Sequence, residues 1–353
     1  MDGLMDSRTP PRAQRQQKKR GKEASAVTLK EVARLAGVST MTVSRAINQP
    51  SMVSEETLTS IRRSIDQLGY VPNLMAGGLR SNQSRLVAAI VPSIGTSMFA
   101  EAVEALTDRL SGAGYEVLLG LSGFDGSRED KLLLAVLSRK PDAIFVTGID
   151  HSARTRQQLL AAGIPIVESW DLTPNPIDIA IGFSHEAAGR AAARHFFGKG
   201  YDRIAVVSAS DKRALRRRDG FLRALAEHGK SDVAVRLTGT PGSLERGRAA
   251  LADLLNAGVR PDAVFCTVDP LAQGAITEAQ VRKLDVPGDI AVMGFGDFSF
   301  SAHMHPSLST ISFNRRKIGE LAAELILAEL GGTPSSDRVV DIGFSLVERQ
   351  STA

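Results

Sequence analysis

The chain has 353 residues, 43% of them hydrophobic and 23% charged, with a formal net charge of +4. That length allows two or three compact units. A mean hydropathy of −0.05, with no apolar run near the roughly 20 residues of a membrane span, leaves no candidate transmembrane helix, and the single Cys266 excludes an internal disulfide and fits a reducing cytoplasm. Residues 1–27 hold Arg8, Arg12, Arg15, Lys18, Lys19, Arg20 and Lys22 against Asp2, Asp6 and Glu23, so this tail carries the whole positive excess. It contains Gln and Pro and lacks aromatics, a composition that predicts disorder. No apolar segment of a secretory signal is visible in it. Such an arm either adds salt-dependent phosphate attraction or is an inert leader.

Residues 28–48, TLKEVARLAGVSTMTVSRAIN, predict two short helices joined by a tight turn. Thr28 is the expected N-cap, with Glu31 three residues on as a capping box requires. Val32, Ala33, Leu35 and Ala36 supply the apolar face, and Gly37 takes the left-handed conformation that ends the helix. Ser39 starts the second helix, whose inward face is Val43, Ala46 and Ile47. Thr40, Met41, Thr42, Ser44, Arg45 and Asn48 face outward. These short polar groups and one arginine suit base edges and phosphates in a major groove; the alternative is a helical hairpin with a solvated face. Ser54 caps a third helix with the stripe Leu58, Ile61, Ile65 and Leu68, closed by Gly69-Tyr70.

From Ser84 onward, apolar runs alternate with amphipathic segments. Expected strands include SRLVAAIVPSI, YEVLLGLS, DAIFVTG, IPIVESWD and IDIAIGFS. Expected helices between and after them are Phe99–Gly114, Glu129–Ser138, Thr155–Ala162 and Ala187–Gly198. The cycle restarts with RIAVVSAS, a helix over Arg217–Glu227, AVRLTG, Leu244–Ala257, DAVFCTV, Pro270–Val281 and IAVMGFG. STISF, Ile318–Gly331 and a final strand VVDIGFSLVER follow. This alternation predicts two doubly wound parallel α/β lobes, Rossmann-like, with ligand in the crevice at the carboxyl ends of the strands. Neither a Gly-x-Gly-x-x-Gly nor a phosphate-loop lysine motif is present, so no nucleotide cofactor is expected. His303 and His305 have no companion Cys or carboxylate cluster, so no metal is expected, and no catalytic constellation suggests an enzyme. Cys266, within AVFCT, is expected to pack in an inner strand.

Residues 28–84 resemble the headpiece and hinge of LacI-family transcription regulators. VTLKEVARLAGVS, TVSRAIN, VSEET, LGYVPN and the Ala76–Leu79 segment carry the resemblance. It implies a helix-turn-helix headpiece over 28–73, a hinge over 74–83 and a ligand-binding, dimerising core over 84–353. That core would have two lobes of periplasmic-binding-protein type: about 84–183 with 314–338, and about 184–313 with 339–353. The resemblance gives Thr40 and Met41 the operator-discriminating positions, Arg45 a base contact, and Thr28, Ser39, Thr42, Ser44 and Asn48 phosphate contacts. Asn73 and Ala76 join them in the DNA-binding set. Leu79 matches a leucine that wedges into the minor groove. Gly77-Gly78 departs from the pattern, each glycine costing a hinge helix roughly 1 kcal/mol relative to alanine.

In the core the resemblance implies that Arg217, before Asp219-Gly220-Phe221, anchors ligand oxygens. Its forked guanidinium suits a carboxylate or vicinal hydroxyls. Asp269, Phe295 and Asp297 fall at further strand ends. Gly296 stands where the family usually has an aspartate, and Val268 where an asparagine is common. Ser93, Ser97 and Phe99 follow the first strand, and Glu168, Trp170 and Asp171 the fourth. Trp170 either stacks on a ligand or packs in the core; Glu168 either pairs with Arg217 or faces solvent. A missing buried carboxylate favours an anionic ligand, and PSIGTSMFAEAVEAL, AGIPIVESWD and AVFCTVDPLAQGA resemble the gluconate-operon repressors of the family. The expected protein is therefore a homodimeric repressor of operator DNA, with gluconate or a related aldonate as inducer. A regulator responding to a neutral sugar or a corepressor, a free sugar-binding protein and a sugar-acid enzyme are the alternatives.

Overall fold

The computed structural model describes residues 27–71, 83–95, 97–124 and 126–353. The basic tail and the hinge positions Asn73, Ala76, Gly77, Gly78 and Leu79 lie outside the described residues. The chain divides into two compact units, Met1–Asn82 and Gln83–Ala353.

In the first unit, α1 (Leu29–Ala36), α2 (Thr40–Asn48) and α3 (Glu55–Leu68) pack around Val32, Ala33, Val43, Ala46, Leu58 and Ile61. Thr28 donates its backbone N–H to Glu31 Oε2 at 2.7 Å and its hydroxyl to the same oxygen at 3.0 Å, which holds the Glu31 carboxyl below its ordinary range. Gly37 ends α1 at φ 69°, and Ser39 Oγ accepts the Thr42 N–H at 3.1 Å. Local capping thus sets both edges of the turn. Leu35, expected on the apolar face, is instead exposed; Leu29 and Val38 pack against the core in its place.

The second unit begins with β1 (Leu86–Val91), α4 (Ser97–Ser111), β2 (Glu116–Leu121), α5 (Gly126–Leu137) and β3 (Ala143–Thr147). α6 (Ala153–Ala161), β4 (Ile166–Ser169) and β5 (Ile179–Gly182) follow. Then come α7 (His185–Gly198), β6 (Ile204–Ser208), α8 (Lys212–Glu227), β7 (Ala234–Leu237), α9 (Leu244–Asn256), β8 (Ala263–Cys266), α10 (Asp269–Val281) and β9 (Ala291–Met293). β10 (Thr310–Ser312), α11 (Arg315–Leu330), β11 (Val339–Asp341) and β12 (Ser345–Val347) complete it. One parallel sheet has the order β11-β5-β4-β3-β1-β2 and the other β7-β6-β8-β9. β1 and β6, each followed in sequence by a neighbour on one side and then by one on the other, mark the two switch points where a crevice opens. The inner strands β3 and β8 are buried along their whole length, as runs of AIFVT and AVFC require. Cys266 lies in that interior, and burial pushes its thiol pKa up.

The chain's end differs from expectation. Residues 339–349 do not form one strand of the second lobe. Val339–Asp341 adds to the edge of the first sheet beside β5, so that lobe continues past residue 338. Gly343 then turns at φ 67°, donating its N–H to Asp341 Oδ1 at 2.8 Å, and Ser345–Val347 pairs antiparallel with β10. A glycine in the left-handed region breaks what otherwise looks like a continuous extended run.

α7 and α8 cross at two glycines. A Cβ on Gly189 would sit 2.0 Å from the Arg217 carbonyl oxygen, and one on Gly220 would sit 2.3 Å from that of Glu186. Gly220→Ala is therefore expected to force these helices apart and cost roughly 1–3 kcal/mol by overpacking, read as a lower urea midpoint. An unchanged midpoint would show that the crossing tolerates a methyl group.

Candidate DNA-reading face and effector cleft

On the headpiece, Thr28, Ser39, Thr40, Met41, Arg45 and Asn48 are exposed, and Thr42 and Ser44 are half-buried. Met41, 64% exposed, is a large apolar side chain left in water at the start of α2, which suits it to a thymine methyl group. Asn48 donates to the Ser44 carbonyl at 2.8 Å, so its amide is locally oriented.

In the core, a cleft gathers side chains from both lobes. Met98 and Phe99 from α4, Phe124 after β2 and Trp170 after β4 come from the first. Arg213 and Arg217 from α8, Val268 after β8, and Phe295 and Phe298 after β9 come from the second, with His185 at the start of α7 between them. Arg217 is buried. Its Nε donates to the Thr267 carbonyl at 3.1 Å, its Nη1 to His185 Nδ1 at 2.9 Å, and its guanidinium carbon lies 3.8 Å from the Phe295 ring centroid. Burial lowers its pKa to about 10, so it remains charged at neutral pH. His185 accepts from Arg217 through Nδ1, so Nε2 carries the proton and donates to the Trp170 carbonyl at 2.8 Å. Burial, and then the Arg217 charge, pull its pKa well down and keep it neutral. Trp170 is fully buried against Phe99 at 5.1 Å and Phe145 at 6.1 Å. Its backbone is left-handed at φ 69°, a strained state for a bulky residue. Its indole N–H faces no acceptor among the described residues.

Of the residues expected to hold ligand, Phe99, Trp170, Arg217 and Phe295 line this cleft. Ser93 does not line it and instead accepts the Gly95 N–H at 3.0 Å; Ser97, which does not line it either, starts α4. Asp269 is buried with both oxygens occupied. Thr310 Oγ1 donates to it at 2.7 Å, Ser301 Oγ at 2.7 Å and the Phe298 N–H at 3.0 Å. Asp297 pairs with Arg349 at 2.8 Å. Glu168 neither pairs with Arg217 nor meets solvent: it is buried, accepts the Ile177 N–H at 2.6 Å and lies 3.4 Å from His151 Nε2. Asp171 reaches across to Arg216, which also donates to Asp150 at 2.7 Å. Gly296, at φ 121°, leaves no room for a side chain: a Cβ would meet Phe298 Cε2 at 2.8 Å and Met98 Cε at 3.0 Å.

Sequence reasoning missed Arg213 and His185. α8 starts at Lys212 rather than Arg217, capped by Asp211, which accepts the Ala214 N–H at 3.1 Å. Arg213 thus sits one turn before Arg217 on the same helix face. The Asp-Lys-Arg start of that helix was the available signal.

The bacterial regulatory protein lacI-family domain matches residues 28–73, and the periplasmic binding protein-like domain matches residues 193–352. The HTH-type transcriptional regulator GntR of Pseudomonas aeruginosa is 40% identical over 92% of this chain and 95% of its own length. A LacI-family regulator from Silicibacter pomeroyi superposes with a TM-score of 0.88 at 30% identity, covering 92% of this chain and 99% of its own. The lac repressor dimer bound to operator and the anti-inducer ONPF gives 0.78 at 26% identity, over 93% and 99%. This chain belongs to the LacI family of DNA-binding transcriptional regulators. It is a repressor with a small-molecule effector, not an enzyme.

Gly296→Asp must strain the backbone and displace Phe298 or Met98, so calorimetric effector affinity should fall at least tenfold; retained affinity would mean that this wall yields. His151 is buried between Glu129, at 2.6 Å, and Glu168. Burial opposes its charge, but the hydrogen bond to Glu129 and the negative charges of Glu129 and Glu168 outweigh this and raise its pKa to about 9. The stabilisation is therefore fully present below about pH 6.5, the ordinary histidine value, and is lost as pH rises through about 9. Melting curves from pH 6 to 9.5 should show wild type losing stability relative to His151→Gln across that window; parallel pH profiles would exclude a charged His151.

Proposed function

We propose that this repressor is a homodimer whose operator affinity is controlled by a sugar acid, gluconate or a related aldonate, acting as inducer. The cleft carries the reading: two arginines face it with one aspartate, Asp211, and no side chain at position 296. A buried carboxylate at 296 would repel an acid. Phe298 and Met98 fill that space and leave an apolar floor, while Arg217 offers hydrogen bonds to a polyol chain. Resemblance to the gluconate-operon repressors supports the same ligand class.

Two headpieces with two-fold symmetry read a palindromic operator. In each, Thr40, Met41 and Arg45 approach base edges, and Thr28, Ser39, Thr42, Ser44 and Asn48 meet phosphates. Asn73, Ala76 and Leu79 act from the hinge, with Leu79 wedging into the minor groove. The effector draws on both lobes, biases their relative orientation and disfavours the operator-bound state, a coupling of about 1–3 kcal/mol.

Operator binding measured by fluorescence anisotropy, with and without D-gluconate, tests this. Gluconate should weaken binding about fivefold to 150-fold, and Arg217→Ala should remove that response. Tighter operator binding with gluconate would make the acid a corepressor; no response to it would remove aldonates as effectors. Arg45→Ala should cost roughly 1–3 kcal/mol of operator affinity and relax selectivity at one base pair, while effector titrations stay unchanged. An unaltered operator preference would take Arg45 out of base recognition.

A further inference from the structure

Five arginines lie on α8, and four have protein partners, Arg223 through Glu186 at 2.6 Å. Arg216 pairs with Asp171 and Asp150. Arg217 spends Nε and Nη1 on Thr267 and His185. Arg218 donates Nε and Nη2 to Asp219 Oδ1 at 2.8 and 2.6 Å. Arg213 is different. It is only half-exposed, yet among the described residues none of its three nitrogens makes a hydrogen bond and no carboxylate lies within 4.0 Å. Its guanidinium carbon lies 5.5 Å from the centroid of Phe99, a residue of the other lobe. It also lines both the aromatic cleft and an adjoining polar chamber with Thr147 and His151.

We infer that Arg213 receives the effector's acid group and is the residue that selects an acid over a neutral polyol. The inference rests on the sugar-acid reading above and assigns the acid within it. Arg217 has one nitrogen without a partner, enough for a hydroxyl. Arg213 has all three, and a carboxylate is best held by two parallel N–H bonds from one guanidinium. A second donor in the same cleft has no acceptor among the described residues: Trp170 Nε1 is buried and unpartnered there. Among the described residues, this partly buried cation has no counter-ion and this buried N–H no acceptor; both are costly, and an anion bearing hydroxyls satisfies both. Burial lowers the Arg213 pKa, with the nearby acids Asp211, Asp171 and Asp150 working against that shift. Asp171 and Asp150 are already matched by Arg216. Asp211 lines the cleft but has one oxygen committed to capping α8. With His185 neutral, Arg213 and Arg217 against Asp211 leave the cleft wall one positive charge for the ligand.

D-Gluconate and D-glucitol test this, because they differ only in whether the terminal group is a carboxylate or a CH2OH. Both are titrated calorimetrically into full-length wild type, Arg213→Met, Arg213→Gln and Arg213→Lys, with thermal melts confirming that each variant is folded. Wild type should bind gluconate and strongly disfavour glucitol. In Arg213→Met and Arg213→Gln, gluconate affinity should drop roughly tenfold to a hundredfold, and the two ligands should become nearly equivalent. Arg213→Lys should keep part of the preference. Wild type that binds gluconate, with Arg213→Met or Arg213→Gln retaining its full preference over glucitol, overturns the assignment of Arg213 alone. Wild type that binds no aldonate overturns the sugar-acid reading, and the assignment falls with it.

Discussion

The core is organised around a buried guanidinium that has no carboxylate beside it among the described residues. Taking a charge out of water is costly unless dipoles replace the solvent. Arg217 meets that demand with a carbonyl, an imidazole nitrogen and an aromatic face: Thr267, His185 and Phe295. Each partner imposes a further condition. His185 must stay neutral with its proton on Nε2, which requires an acceptor on its other side, and the Trp170 carbonyl supplies it. Trp170 in turn holds a left-handed backbone, fixed by its own N–H bond to the Ile181 carbonyl at 2.9 Å. The chain of dependence runs from α8 through α7 to the end of β4, and so from one lobe into the other. The glycine crossing at Gly189 and Gly220 serves it by letting the two helices approach closely enough for Nη1 to reach His185.

A carboxylate salt bridge to Arg217 would have settled the same charge more simply, but it would have neutralised the cleft. Neutral partners leave a net positive potential at its wall, available to an incoming anion. Acids close to the cleft are handled in the same spirit. Asp269 is satisfied by Ser301, Thr310 and a backbone N–H, and Asp171 by Arg216; Glu168 accepts a backbone N–H and lies beside His151. Each keeps its charge occupied away from the ligand.

How much of this was legible in the sequence depends on the range of the interaction. The headpiece could be read residue by residue because its determinants are local: Thr28 and Glu31 are three apart, Gly37 ends its helix, and Ser39 caps the next. The lobes were legible as an alternation of strand and helix, since fully buried strands are apolar throughout. Site residues were legible only in part. Phe99, Trp170, Arg217 and Phe295 do meet in the cleft. Strand-end acids looked equally eligible, but their partners lie far along the chain: Thr310 is 41 residues from Asp269, and Arg349 lies beyond the last strand from Asp297. Nothing local distinguishes an acid with such a partner from one without. Arg213 was lost to a boundary error, because Asp-Lys-Arg before Ala214 resembles a polar loop until Asp211 is recognised as a cap.

The same geometry explains why a small ligand would report on the arrangement of two lobes. Arg216 on the second lobe already binds Asp150 and Asp171 on the first, so this arrangement of the lobes is partly self-satisfied. The Arg213 charge over Phe99 and the unpartnered Trp170 N–H are the contacts that remain incomplete across that boundary. A ligand completing them adds free energy only where both lobes present their groups together. It therefore binds one arrangement more tightly than another, and that difference in affinity is the whole of what an effector contributes to a switch. A molecule satisfying Arg217 alone would bind the second lobe in any arrangement and shift nothing.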